Sequence, residues 1–249
     1  MTIAIMSAMH EENASIVQEM DVHTEQSIGS RTYYSGELMG ESVVVVFSHW
    51  GKVAAAITAT SLINHFDIDE IIFTGVAGAI DSRLGVGDMV IGTDLYQHDM
   101  DVSPLIPRHE IPLLGRAAIS TDESIRTRLG KAADEFIKKD FSHMVAQEAV
   151  QTFNLQSPAI HTAAIASGDQ FVSAPALSTD IAQRLPSVAS VEMEGAAVAQ
   201  VCESFDIPFG VIRIISDGAN DSSDIDFLAF VADVARVYSL GVVKRYLAQ

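Results

Sequence analysis

The sequence predicts an α/β fold, and three observations carry the prediction. Residues 186–220 hold an apolar run (188–191), a small-residue helical run (195–202), the breaker Ile207-Pro208 and a continuous apolar strand (209–215). Strand, helix and strand in that order make one crossover unit. Short apolar runs with strand character recur elsewhere and alternate with helical patterns. Finally, 249 residues with 48% hydrophobic and 7% aromatic content can bury one large core. No Pro- or Ser-rich linker divides the chain, so a single domain over residues 1–249 is expected.

The elements follow in order. Residues 2–6 read as the opening strand and 11–20 as a helix with Ile16, Val17 and Met20 on one side. A hairpin is expected from strands 32–38 and 42–47 around the turn Met39-Gly40-Glu41; its second arm is apolar on both faces and belongs inside the sheet. The alanine-rich run 53–64 suits a helix packed close to a sheet, with Gly51 marking the tight loop before it. Strands are expected at 70–73 and 87–92, separated by a small-residue turn over 74–79. A helix over 120–133, capped by Ser120-Thr121-Asp122-Glu123, is followed by a weaker helical stretch over 134–153. Strand 159–166 and the short helix 177–185 lead into the crossover unit. An acidic helix start at 221–226 opens the last helix, which ends near Leu247 with Lys244 and Arg245 at its negative end.

Composition narrows the function. The 33 Asp and Glu against 15 Lys and Arg give a formal net charge of -18. Lys138-Lys139 and Lys244-Arg245 are the largest basic groupings, too small for a nucleic-acid backbone, so a small-molecule partner is expected. The single Cys202 reads as a buried thiol. The first residues lack a basic stretch and turn acidic at once, and no 18-residue apolar span occurs, so neither a signal peptide nor a membrane segment is expected. The cytoplasm is the default compartment.

The candidate chemistry lies at strand ends, where α/β sheets bind ligands. Glu192 and Glu194 sit beside the end of the 188–191 strand; in extended chain they would point the same way, and after a turn they would diverge. Embedded between Val191, Met193 and Gly195, they are poor candidates for solvated surface. Carboxylates there can accept hydrogen bonds from sugar hydroxyls and stabilise developing positive charge. Asp217 is equally suited to proton donation or to capping a loop. Glu11 and Glu12 occupy a helix's first turn, where dipole stabilisation is the ordinary reading. Asp169 reads as a loop-fixing acceptor, His49 as structural, and Trp50 as core or pocket rim. His98, Asp99 and Asp101 lack a metal-ligand pattern, so no metal is expected. The proline-rich, apolar loop 103–114 has the character of a subunit contact.

The motifs SAMHEE (7–12), GKVAAA (51–56), TGVAG (74–78), SGDQFV (167–172), VEMEG (191–195) and IISD (214–217) together resemble the 5'-methylthioadenosine/S-adenosylhomocysteine nucleosidases of the nucleoside phosphorylase superfamily. They occur in family order over almost the whole chain. The resemblance implies a three-layer α/β/α fold around a twisted mixed sheet, a homodimer, and hydrolysis of an adenine N-ribosidic bond without metal or organic cofactor. It implies that Glu12 activates water and that Asp217 supports protonation of adenine N7. It places Glu194 on the ribose hydroxyls with Met193 beside the ring, and Phe171, Val172 and Ser216 on the base. Glu192 and Arg213 match supporting positions, with Met9, Trp50, Val76, Ala77, Gly78 and Phe227 in the pocket. Val102, Leu105 and Pro112 match a segment reaching the neighbouring subunit's alkylthio pocket. Trp50 departs from a smaller residue, Val76 from a common serine and Ala79 from a frequent glycine.

Three other readings stay open at this point. A phosphorylase would need cations for phosphate, and the first 30 residues hold neither Lys nor Arg. A nucleosidase for another adenine riboside, including futalosine-type compounds, would differ mainly in the 5' pocket. A non-enzymatic nucleoside sensor would have no need of Glu12 or Asp217.

Overall fold

The computed structural model describes residues 1–155, 157–218 and 227–249. The expected acidic helix start at 221–226, with Ala219 and Asn220 before it, lies outside the described residues. The chain opens with β1 (Thr2–Ser7), α1 (His10–Glu19), β2 (Asp21–Ile28), β3 (Arg31–Leu38), β4 (Glu41–Phe47) and α2 (Lys52–His65). It continues through β5 (Glu70–Thr74), β6 (Val76–Ala79), β7 (Met89–Gln97), β8 (Ala118–Ser120), α3 (Glu123–Lys139), α4 (Phe141–Met144) and α5 (Gln147–Thr152). The last part holds β9 (Ile160–Ser167), α6 (Pro175–Arg184), β10 (Val188–Glu192), α7 (Gly195–Ser204), β11 (Phe209–Asp217), α8 (Phe227–Phe230), a π-helical turn (Val231–Ala235) and α9 (Arg236–Leu247).

The strands form one mixed sheet in the order β2-β3-β4-β1-β5-β11-β6-β10-β9-β7-β8. β4, β1, β5 and β11 run parallel, and β2 and β3 are antiparallel to their neighbours. β7 also pairs antiparallel with β11, so β11, β6, β10, β9 and β7 close on themselves. This closure depends on the length of β11, which is buried throughout and pairs with β5 over its first half and with β6 over its second.

Strand alternation explains the helical layers. Ile3 and Ile5 of β1, with Val43 and Val45 of β4, face a core completed by Ile16 of α1, Phe136 of α3 and Tyr238 of α9. Ala4 and Met6, with Val44 and Val46, face the opposite core, completed by Ala55 and Ala59 of α2 and by Ala196, Val198 and Ala199 of α7. Both faces are therefore covered, which is why these strands read as unbroken apolar runs. The small side chains of α2 and α7 let those helices lie close together.

Several expectations need correction. β2 was not anticipated, because nearly all its residues are exposed and only pairing with β3 defines it. The stretch 74–79, read as a turn, contains β6, and Gly75 is the actual break. A Cβ on Gly75 would stand 2.7 Å from the Ala8 side chain and 3.2 Å from the Arg213 guanidinium, so small residues there reflect close packing. β7 runs on to Gln97, five residues beyond the expected end. The cap of α3 is Asp122, which accepts from the Ile125 N–H at 2.9 Å, whereas Ser120 lies in β8. The continuous helical stretch expected over 134–153 is broken, since α3 ends at Lys139 and Asp140 turns to bind Arg245 at 2.6 and 2.7 Å.

Candidate active site

The C-terminal ends of β1, β9, β10 and β11 converge on a cavity of about 350 Å³, joined by the early residues of β6. This volume falls within the range of small-molecule sites. Ala8 and Met9 supply one wall, Val76, Ala77 and Gly78 another, and Gln170, Phe171 and Val172 a third. The rest comes from residues 191–194, Ser216 and Asp217, with Trp50 and Phe227 at the edge. Trp50 is 65% exposed and held by its indole N–H on the Ala8 carbonyl at 3.1 Å, so it is a rim residue. Phe171 is 62% exposed and meets Phe227 edge to face, with ring centroids 6.1 Å apart. Wide flat side chains thus remain open to a ligand beside a largely apolar wall.

Glu192 and Glu194 diverge, because the chain has already turned at Glu194, the residue that caps α7. Glu192 faces inward and is saturated. Its carboxylate pairs with the Arg213 Nη2 at 2.6 Å and accepts from the N–H groups of Glu194 and Gly195 and from the Ser167 hydroxyl. The Arg213 guanidinium also lies over the Phe73 ring, 4.2 Å from its centroid. Arg213 is fully buried and does not reach the cavity; it holds Glu192, which fixes the start of α7.

Glu194 lines the cavity and accepts a hydrogen bond from the Gly51 N–H at 2.8 Å. Burial, and then the charge of Glu192, push its carboxyl above the ordinary carboxylate range. Gly51 sits at φ 88°, a left-handed conformation that aims its N–H away from α2 and at Glu194. The same loop is fixed from below, where the Lys52 N–H donates to Asp169 at 2.7 Å and the Lys52 ammonium to Asp99 at 2.6 Å. Asp169 is therefore a loop acceptor in this fold, and Asp99 is engaged by Lys52 and by the Asp169 N–H.

Glu12 is fully buried and stands behind the Ala8–Met9 wall. It occupies the third position of α1, where its Oε2 accepts from the Met9 N–H at 3.1 Å, while Oε1 accepts from the Ser239 hydroxyl at 2.6 Å. Burial raises its pKa to about 7, against the lowering effects of Ser239, Arg213 and the Met9 N–H. A carboxyl near neutrality can exchange a proton at physiological pH. Asp217, almost buried, lines the cavity and accepts from the Ser216 hydroxyl at 2.8 Å.

This arrangement can hold a flat ring against Phe171 and hydroxyls against Glu194, with carboxyls at Asp217 and Glu12 to handle protons. A Phosphorylase superfamily model matches residues 2–248. A 5'-methylthioadenosine/S-adenosylhomocysteine nucleosidase of Shewanella sediminis is 35% identical over 245 residues, covering 98% of this chain and 97% of the relative. The chain belongs to this nucleosidase family. The solved nucleosidase of Neisseria meningitidis, in complex with methylthio-immucillin-A, superposes with a TM-score of 0.85 at 32% identity, covering 99% of this chain and 98% of the other. The futalosine hydrolase of Helicobacter pylori gives 0.83 at 30% identity, covering 99% and 97%.

Within the nucleosidase fold, the expected site residues fall into three groups. Those around the cavity are Met9, Trp50, Val76, Ala77, Gly78, Phe171, Val172, Glu192, Met193, Glu194, Ser216, Asp217 and Phe227. Glu12 and Arg213 form a buried layer behind them. Val102, Leu105 and Pro112 lie outside this cavity, on a loop where Leu105 is 83% exposed. Sequence reasoning missed Ser167 and Ser239 as partners of the buried carboxylates. Ser167 closes a motif already singled out, whereas Ser239 had no local signal, being 227 residues from Glu12.

Proposed function

We propose that the protein hydrolyses the N-ribosidic bond of 5'-methylthioadenosine or S-adenosylhomocysteine, releasing adenine and the 5-thio-substituted ribose. The observation that carries this reading is one nucleoside-sized cavity at the strand ends, lined by Glu194 and Asp217, with the buried carboxyl of Glu12 behind its Ala8–Met9 wall. Adenine stacks on Phe171 and presents an edge to the Val172 backbone, with Asp217 and Ser216 supporting a proton at N7. Protonation turns a poor anionic leaving group into a neutral one. Glu194 accepts from the 2'- and 3'-hydroxyls beside Met193 and stabilises positive charge on the ring as the bond breaks. Glu12 takes a proton from the water that attacks the anomeric carbon, and its pKa of about 7 leaves a useful fraction ionised at neutral pH.

Phosphate finds little to hold it. Among the described residues no Lys or Arg lines the cavity, and residues 219–226 contain neither. We read the whole chain as one catalytic domain working as a homodimer. In that assembly the loop bearing Val102, Leu105 and Pro112 covers the partner's alkylthio group, which gives exposed Leu105 and Leu113 an apolar role. A cytoplasmic role in methionine salvage belongs to the same proposal and rests on the family alone. A futalosine-type adenine riboside is the second reading, favoured by the likeness to the Helicobacter pylori futalosine hydrolase.

Product separation tests the assignment. Adenine and free methylthioribose should form from 5'-methylthioadenosine at the same rate with and without phosphate. A sugar phosphate product would overturn the hydrolase reading, and faster turnover of a futalosine-type riboside would move the substrate.

A further inference from the structure

The hydroxyl beside Glu12 comes from an unexpected direction. A helical serine ordinarily turns its hydroxyl to the carbonyl four residues earlier. Ser239 of α9 instead donates to Glu12 Oε1 at 2.6 Å, within the short range of charge-assisted O–H···O⁻ bonds. Both side chains are buried, Ser239 with 1% of its surface exposed and Glu12 with none. α9 follows directly on the π-helical turn Val231–Ala235, whose extra residue per turn sets which face of α9 meets α1. The two helices are also tied by the Ser15 hydroxyl, 3.2 Å from the Arg236 carbonyl. On the cavity wall, Val76 presents methyl groups and no hydroxyl.

We propose that Ser239 is a positioning residue for the catalytic base. Its hydroxyl, supplied from the C-terminal helix, fixes the Glu12 carboxylate and favours the ionised form. The inference rests on the reading of Glu12 as base. A carboxylate has about four acceptor sites; Ser239 and the Met9 N–H occupy one on each oxygen, which leaves both oxygens able to accept from a water while their orientation stays set. Without Ser239 one oxygen loses its side-chain donor in a dry environment, and the proton is retained to higher pH.

The charged groups around Glu12 do not duplicate this role. Arg213 of β11 lowers the Glu12 pKa but is engaged with Glu192, and Glu11 of α1 raises it. In the π-helical turn Asp233 is exposed. On α9, Arg236 turns to the Ala232 carbonyl and Lys244 pairs with Glu19 at 2.9 Å.

The test compares kcat/KM for 5'-methylthioadenosine from pH 5.5 to 9 in wild type, Ser239→Ala, Ser239→Thr and Glu12→Gln. Ser239→Ala should move the acid limb upward by about one pH unit, a tenfold loss near pH 6 with a small change at pH 9. Ser239→Thr, which keeps the hydroxyl, should restore the limb. If the alanine protein does not accumulate, Ser239→Val against Ser239→Thr makes the same comparison. An unmoved limb in Ser239→Ala, or an equal loss at every pH, would overturn the inference provided Glu12→Gln is inactive. Wild-type activity in Glu12→Gln would instead remove the base reading, and the inference with it.

Discussion

Three glutamates are buried within a few residues of one cavity, yet their surroundings differ. Glu192 is saturated by a guanidinium, two backbone N–H groups and a hydroxyl, whereas Glu12 has two neutral donors and Glu194 is held by the Gly51 N–H. The burial is nearly equal and the donor supply is not. A carboxylate with a full set of donors is stable as an anion and fixes the scaffold; one with few donors is costly as an anion and stays ready to accept a proton or a ligand hydroxyl. Donor supply separates support from chemistry more sharply than burial does.

The largest effect is expected at the saturated site. Glu192→Ala leaves the Arg213 charge buried without its partner and should destabilise the fold by about 3–5 kcal/mol, read as a lower denaturation midpoint at unchanged slope. A loss below 1 kcal/mol would erase the contrast between the two kinds of glutamate.

Glu12→Gln should act in the opposite sense on stability. The folded pKa of Glu12, about 7, lies above its ordinary value of 4.5, so the folded state binds the extra proton between these values. Stability from this group is present below pH 4.5 and lost as pH rises through 7. The variant should therefore gain up to roughly 3 kcal/mol over wild type at pH 8 and little at pH 4.5, while adenine release falls about 10²-fold or more. Equal melting shifts at both pH values would contradict the assigned burial penalty.

Glu194 sharpens the comparison through ligand binding. Ribose hydroxyls supply the donors it lacks, which favours the anion, so binding of a 5'-thioadenosine analogue near pH 7 should release protons. Calorimetry in buffers of different ionisation enthalpy measures this, and Glu194→Gln should abolish it. The smallest effect is expected at the rim, where Trp50→Phe removes the bond to the Ala8 carbonyl and should weaken binding by about 1 kcal/mol, seen in KM more than in kcat.

The place of the site, though not this contrast, could be read in the chain beforehand. The crossover around VEMEG, the acids at strand ends and the order of motifs located the cavity, because buried strands and small-residue helices leave strong local patterns. Donor supply was not legible. Ser239 meets Glu12 only through the packing of α9 on α1, and the conformation of Gly51 is set by a loop tied to Asp169 and Glu194. β2 escaped notice for a related reason: an exposed edge strand such as DVHTEQSI has no buried face to impose alternation, and backbone pairing alone defines it. Over 134–153 the expected single helical stretch is broken after Lys139, where Asp140 pairs with Arg245, a contact 105 residues away that local helical preference does not reveal.

The most direct test of the account is the pH dependence of phosphate-free adenine release from 5'-methylthioadenosine by wild type and Glu12→Gln. Wild type should show an acid limb near pH 7, and the variant should lose activity across the range. A wild type whose kcat/KM is flat from pH 5.5 to 9, or a variant that retains the wild-type rate, would contradict it.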